Sequence, residues 1–235
     1  MDSANVARAY EVYRATPWIT ALSVLTDEDH FGGDVEELAR AREAVPEKPI
    51  LRKDFIVDRY QILEARACGA DAVLLMAALH AENPGRLAEL FAFTRQLGMR
   101  ALVEIGMGGG DTLELPKIIP PDAIIRGINS RRFEGSVEAA KAGAGILERT
   151  GRDPLTSLDL HKSLRNLIPA DKIAVAESGF HNAADLQAAR DAGYNAALIG
   201  TAFLKAPGGL DNAIRDFGGF FDVTPAANRA ATAAE

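Results

Sequence analysis

The sequence predicts an α/β fold of the (β/α)8 TIM-barrel type that lacks its first strand. Three observations carry this. A unit of helix, glycine and apolar strand recurs at Ala65 to Leu75, at Ala189 to Ile199 and, in shorter form, at Arg95 to Val103. Glycine suits the left-handed position that ends a helix. The apolar runs that follow do not alternate, which is how parallel strands buried on both faces read. Helical and strand patterns also alternate along the whole chain, as a parallel sheet with helical crossovers requires, and 235 residues suit one such domain.

Taken in order, a helix near 4–15 starts from the capping types Asp2, Ser3 and Asn5 and leads to a strand near 20–25. Helices near 34–44 and 58–68 lead to strands near 49–53 and 71–76. A helix near 84–97 precedes the strand near 100–105, and strands near 123–128 and 172–177 follow with a helix near 158–167 between them. A helix near 182–192 leads to the last strand, near 195–200. That makes seven strands where a closed barrel needs eight; a doubly wound open sheet is the rival. The expected domain is a single barrel over 1–221, incomplete at its N-terminus, with an Ala- and Thr-rich, disordered tail over 222–235.

Composition narrows the function. Apolar residues make up 48% and charged residues 25%, an ordinary globular balance. The net charge of −7 disfavours nucleic acid as the main partner. An anionic small substrate stays open, because a cradle of backbone N–H groups does not register in net charge. The single cysteine, Cys68, fits a reducing, cytoplasmic setting and reads as a small buried hydrophobe. No apolar leader or long apolar run predicts secretion or a membrane partner. Gly106 to Asp111 is glycine-rich but is not GxGxxG, since Asp111 takes the third glycine position, so it reads as a flexible connector.

In parallel barrels, functional side chains project from the C-terminal ends of strands. Here those ends carry Lys53, Glu104, Asn129, Glu177 and Ser178, with Gly200 and Thr201 after the last strand. A lysine, two carboxylates and an asparagine converging on one low-dielectric mouth form an acid–base constellation. Salt bridges capping the barrel end are the competing reading. Ser178-Gly179 and Gly200-Thr201 follow the last two strands, where barrels commonly build a phosphate cradle; simple tight turns are the alternative there.

Six segments then match one known family. Ala21 to Glu28 with Phe31-Gly32-Gly33, and Pro49 to Ile56, resemble the second- and third-strand motifs of indole-3-glycerol phosphate synthases. Leu102 to Ile105, Gly127 to Arg131, Ala176 to Gly179 and Leu198 to Thr201 resemble the fifth to eighth. The resemblance runs in order over roughly residues 20–210. It implies a carboxy-lyase of tryptophan biosynthesis. Such an enzyme closes the ring of a phosphorylated carboxyphenylamino-deoxyribulose with loss of CO₂ and water, and needs neither metal nor organic cofactor.

By that resemblance Lys53 is the general acid of ring closure and Glu104 the general base of dehydration. Asn129 and Glu177 orient and polarise the substrate. Ser178, Gly179, Gly200 and Thr201 hold the phosphate, Arg131 lies near the anthranilate end, and Phe31, Phe55 and Leu74 form an apolar slot for the aromatic ring. Core packing is the competing reading for those three. His30, His80, His161 and His181 show no ligand spacing and read as surface or cap residues.

The chain also departs from the family. The first strand with its Glu, its Lys and a Ser-Pro-Ser turn has no counterpart here. About twenty residues, roughly Glu134 to Leu155, are inserted after Asn129, with Val137, Ala140, Ala144 and Leu147 at helical spacing. Arg132 stands where the family has an acid, and Thr201 where it has Ser. These departures predict an incomplete barrel with little synthase activity alone, from a frame that begins upstream, with self-association through unpaired strand edges as the fallback. A non-catalytic phosphosugar-binding paralogue and another phosphosugar enzyme, such as an isomerase, are the alternatives in function.

Overall fold

Strands without a polar face must be covered on both sides, and the chain meets that demand by wrapping helices around a parallel sheet. The computed structural model describes residues 3–106, 112–130, 158–206 and 208–222. The strands are β1 (Leu22–Leu25), β2 (Ile50–Lys53), β3 (Ala72–Met76), β4 (Arg100–Gly106), β5 (Ile125–Asn129), β6 (Ile173–Glu177) and β7 (Ala196–Leu198). They lie side by side in sequence order and every pairing is parallel. A doubly wound sheet reverses its order at a switch point; this one never does, so the barrel reading stands. All seven expected strands form, with β4 and β5 each running one residue further than expected.

The helices are α1 (Ser3–Ala15), α2 (Glu28–Phe31), α3 (Glu36–Ala44), α4 (Arg59–Ala67), α5 (Pro84–Gln96), α6 (Leu158–Leu164), α7 (Ala183–Asp191), α8 (Thr201–Leu204) and α9 (Leu210–Asp222). Their ends follow from local chemistry. Asp58 and Gln61 form a reciprocal capping box at the start of α4. Gly69, Gly98 and Gly193 take φ values of 89°, 73° and 92° after α4, α5 and α7, as the recurring helix–glycine–strand unit demands.

Apolar strand residues divide between two cores. Val73, Leu75 and Val103 face outward into the large core beneath the helices, with Leu38, Ile62 and Leu90. Leu74, Met76, Leu102 and Val175 face inward and form a small plug, flanked by Leu51, Ile125 and Leu198. The period of two is real but hidden in the sequence, because both faces are apolar.

The sheet does not close among the described residues: β1 and β7 are its two edges. The gap shows in exposure, since Ser23 and Ala196 are open to solvent. The helical layer still meets across it. Arg8 on α1 pairs with Asp211 on α9 at 3.2 Å, and Trp18 stacks on Phe221 with ring centroids 4.8 Å apart.

Several expectations need correction. The element order read from the sequence stops at the strand near 195–200, yet α9 spans thirteen residues and buries Phe217 completely enough to leave 1% exposed. Asp222, expected in the tail, is the last residue of α9, and 223–235 lie outside the described residues. Cys68 ends α4 half-buried rather than fully buried. His30 and His181 are exposed as expected, but His80 and His161 are buried and hydrogen-bond the carbonyl oxygens of Ile56 and Ser178. The connector residues 107–111, Arg131 and Arg132, and the insertion near 134–155 lie outside the described residues. Among the described residues no helix is long and apolar enough to cross a membrane.

Candidate active site

Consecutive parallel strands bring the strand-end residues to one end of the sheet. Asn129 pairs in register with Glu177, and Glu104 with Gly127 and Met76. Lys53 ends β2 and places its ammonium 4.0 Å from Glu104 Oε2. Asn129 Nδ2 donates to the same Glu104 oxygen at 3.0 Å. The four side chains sit directly above the inner apolar plug, with Glu104 and Glu177 almost wholly buried and Lys53 a quarter exposed. The lysine is thus the most open member of the group.

Glu104 Oε1 and both oxygens of Glu177 have no hydrogen-bond partner among the described residues. Two adjacent carboxylates cannot both ionise in so dry a place. Burial first, and then the Glu104 charge, push the Glu177 carboxyl well above the usual carboxylate range, with Lys53 acting in the opposite direction. Protonated Glu177 can donate to Glu104, so the pair shares one proton. An ammonium, a carboxylate and a carboxylic acid on one mouth can give and take protons near neutrality.

Gly127 makes room for this pair. A Cβ there would overlap Glu177 Oε1 and stand 3.1 Å from its Cδ. The sequence offered Gly127 only as part of a motif; the space it leaves becomes visible once β5 and β6 are side by side. Arg52 is a second residue the sequence reading missed. It points outward, and its guanidinium donates to Thr26 Oγ1 at 3.0 Å, to Asp54 Oδ2 at 2.8 Å, and to the Gln61 carbonyl and Glu64 carboxylate at 2.7 Å each. Fully satisfied, this buried cation ties the ends of β1 and β2 to α4 and fixes the backbone beside Lys53.

The expected apolar slot opens beside Lys53. Leu25, Asp27, Phe31, Lys53, Asp54, Phe55, Leu74 and Met76 line one depression. The Phe31 and Phe55 rings stack with centroids 6.0 Å apart. Leu74 belongs to the inner plug and forms the floor, so it both packs and lines.

On the opposite side of the mouth, the loops after β6 and β7 are neighbours. Ser178 N–H donates to the Leu198 carbonyl at 3.4 Å. Ser178 and Gly179 both take left-handed backbone, with φ of 71° and 83°. Gly200 precedes α8, and a side chain added there would meet nothing within 4 Å. The structure therefore brings Ser178, Gly179, Gly200 and Thr201 together across the mouth from the aromatic slot.

Known proteins resemble this chain along most of its length. A family model described as indole-3-glycerol phosphate synthase matches residues 1–217. An indole-3-glycerol phosphate synthase of Burkholderia vietnamiensis is 41% identical over 203 residues, covering 86% of this chain and 67% of the relative. One from Streptomyces coelicolor, named indole-3-glycerol phosphate synthase 2, is 40% identical over the same shares. The chain thus spans about two thirds of the length of these relatives. Among solved structures, 3-hexulose-6-phosphate synthase from Salmonella typhimurium superposes with a TM-score of 0.64 at 11% identity, covering 92% of this chain and 94% of the other. Orotidine 5'-phosphate decarboxylase from Pyrococcus horikoshii gives 0.63 at 12% identity, covering 95% and 97%. At such identities these two speak for the fold alone.

Proposed function

The chain belongs to the indole-3-glycerol phosphate synthase family, and from that premise we propose that its mouth carries out the family's ring closure. The observation that carries the reading is the set of Lys53, Glu104, Asn129 and Glu177 on one mouth, between an aromatic slot and paired glycine–hydroxyl loops. The anthranilate ring of the substrate enters between Phe31 and Phe55. The phosphate lies against Ser178, Gly179, Gly200 and Thr201. This spans the ribulose chain past Lys53.

The Lys53 ammonium donates a proton to the ribulose carbonyl oxygen as the ring carbon attacks. The carboxylate then leaves as CO₂, and its bonding pair returns to the ring. In the second stage the hydroxyl takes a proton from solvent and departs as water, and Glu104 takes the proton whose loss completes the indole. Asn129 holds Glu104 in place, and Glu177, keeping its proton, polarises the substrate by donating to oxygen. Arg131, beside the mouth in sequence, is assigned to the anthranilate carboxylate.

A binding-only role has one observation in its favour, the open sheet between β1 and β7. Strand number, tilt and shear are linked in a barrel, so an open edge loosens the mouth. We infer that residues 1–235 alone turn over poorly and that their unpaired edges favour self-association. The acidic balance and lone cysteine support a cytoplasmic protein without a nucleic-acid partner. The test is conversion of the phosphorylated carboxyphenylamino-deoxyribulose to a fluorescent indole product. Product formation lost in Lys53→Ala supports catalysis; tight binding without product supports the binding role.

A further inference from the structure

His161 lies on α6 with 1% of its surface exposed. Its ring stacks on Phe180 at a centroid distance of 5.8 Å and meets Tyr194 edge-on at 5.4 Å. The Tyr194 hydroxyl donates to the His161 carbonyl at 3.0 Å, which fixes the helix at this residue. His161 Nε2 stands 3.0 Å from the Ser178 carbonyl oxygen. A carbonyl only accepts, so Nε2 carries the proton. Burial holds the imidazole below its usual pKa and neutral, while the Ser178 and Glu177 backbone carbonyls act in the opposite direction. Nδ1 is then a bare acceptor with no partner among the described residues. Burying a polar ring with one nitrogen unmatched is costly, and a leucine here would fill the same apolar surroundings without that cost. Packing does not account for the histidine.

What the histidine grips does account for it. Ser178 is the one non-glycine residue with positive φ among those described, and Gly179 follows it in the same region. Such backbone persists only where the surroundings hold it. The peptide joining them is planar and trans, so its C=O and N–H point in opposite directions. Tying the Ser178 carbonyl to α6 turns the Gly179 N–H away from the helix layer. We propose that His161 is a positioning residue whose bond to the Ser178 carbonyl holds the Gly179 N–H toward the bound phosphate. This rests on the phosphate reading of that loop. It gives the second strand-end loop a support from α6 that the substrate never touches.

The test titrates residues 1–235 with inorganic phosphate by calorimetry, with melting temperature as the control for folding. His161→Phe keeps an aromatic ring and loses the donor. Phosphate binding is expected to weaken about tenfold, the scale of one lost hydrogen bond. His161→Gln keeps an amide N–H near the same point and should recover most of that loss, which a purely space-filling role would not produce. In the parent, ¹⁵N-labelled histidine should show Nε2 protonated and Nδ1 bare. Parental affinity in a folded His161→Phe chain, a loss in His161→Gln as large as in His161→Phe, or protonation at Nδ1 would each overturn the inference. If His161→Phe does not fold, protonation at Nδ1 in the parent, or a loss of phosphate affinity of about tenfold or more in a folded His161→Gln chain, decides it. A parent that binds no phosphate would instead refute the phosphate reading beneath it.

Discussion

Gly127→Ala should silence the site while leaving the fold intact. The added methyl would overlap Glu177 Oε1, stand 3.1 Å from its Cδ and lie 3.3 Å from Leu102 Cδ1. Leu102 needs to yield only a few tenths of an ångström, at an overpacking cost of about 1–3 kcal/mol. The carboxyl group has no such latitude, because it is buried and tied to the Glu104 charge. It must move by roughly 1 Å, and misplacing a reacting group by about 1 Å costs about 10²-fold in rate. The assay is kcat for indole formation by the chain completed with a family-type first strand, beside a thermal melt. A hundredfold loss with a cooperative melt near that of the parent is expected. Parental kcat in a folded Gly127→Ala chain would refute the placement of Glu177 in the machinery.

The other side chains give sharper individual tests. Lys53→Ala and Glu104→Gln should each lower the rate by about 10²–10⁴-fold, and turnover like the parent's would remove the acid and base assignments. Glu177→Gln should lose activity yet gain stability with rising pH. The folded carboxyl titrates above its unfolded value of 4.5, so between the two values the folded chain holds more protons and parental stability falls as pH rises. The amide removes that loss; thermal melts in which the gain over the parent fails to grow above pH 4.5 would contradict the burial argument. Gly200→Glu has open space for its side chain, so the fold should hold. The new carboxylate should weaken phosphate binding by about tenfold or more through ~1–4 kcal/mol of like-charge repulsion; unchanged affinity by calorimetry would move the phosphate elsewhere.

The legible parts of this molecule were those written in local chemistry. Gly69, Gly98 and Gly193 mark helix ends because few other residues accept their backbone, and the apolar runs behind them mark strands. Lys53, Glu104, Asn129 and Glu177 stand out because each is a polar residue at the C-terminal end of such a strand. What escaped depends on neighbours that only folding supplies. In sequence His161 reads as a surface or cap residue, because nothing nearby in the chain reveals Phe180, Tyr194 and the Ser178 carbonyl around it. Gly127 is silent until Glu177 lies beside it. The helix over Leu210–Asp222 was hidden by Gly218-Gly219, although Leu210, Ile214, Phe217 and Phe221 recur at helical spacing; tertiary packing of Phe217 outweighs the weak propensity of the two glycines.

Indole formation by two chains, residues 1–235 alone and the same residues preceded by a family-type first strand, tests the functional reading most directly. Closing the edge between β1 and β7 should restore the shape of the mouth and supply the Glu and Lys that the family carries on that strand. The completed chain should release indole-3-glycerol phosphate at a rate that Lys53→Ala lowers by about 10²-fold or more, and residues 1–235 alone should be far slower. A completed, monomeric and well-folded chain that binds the substrate and forms no product would contradict the assignment.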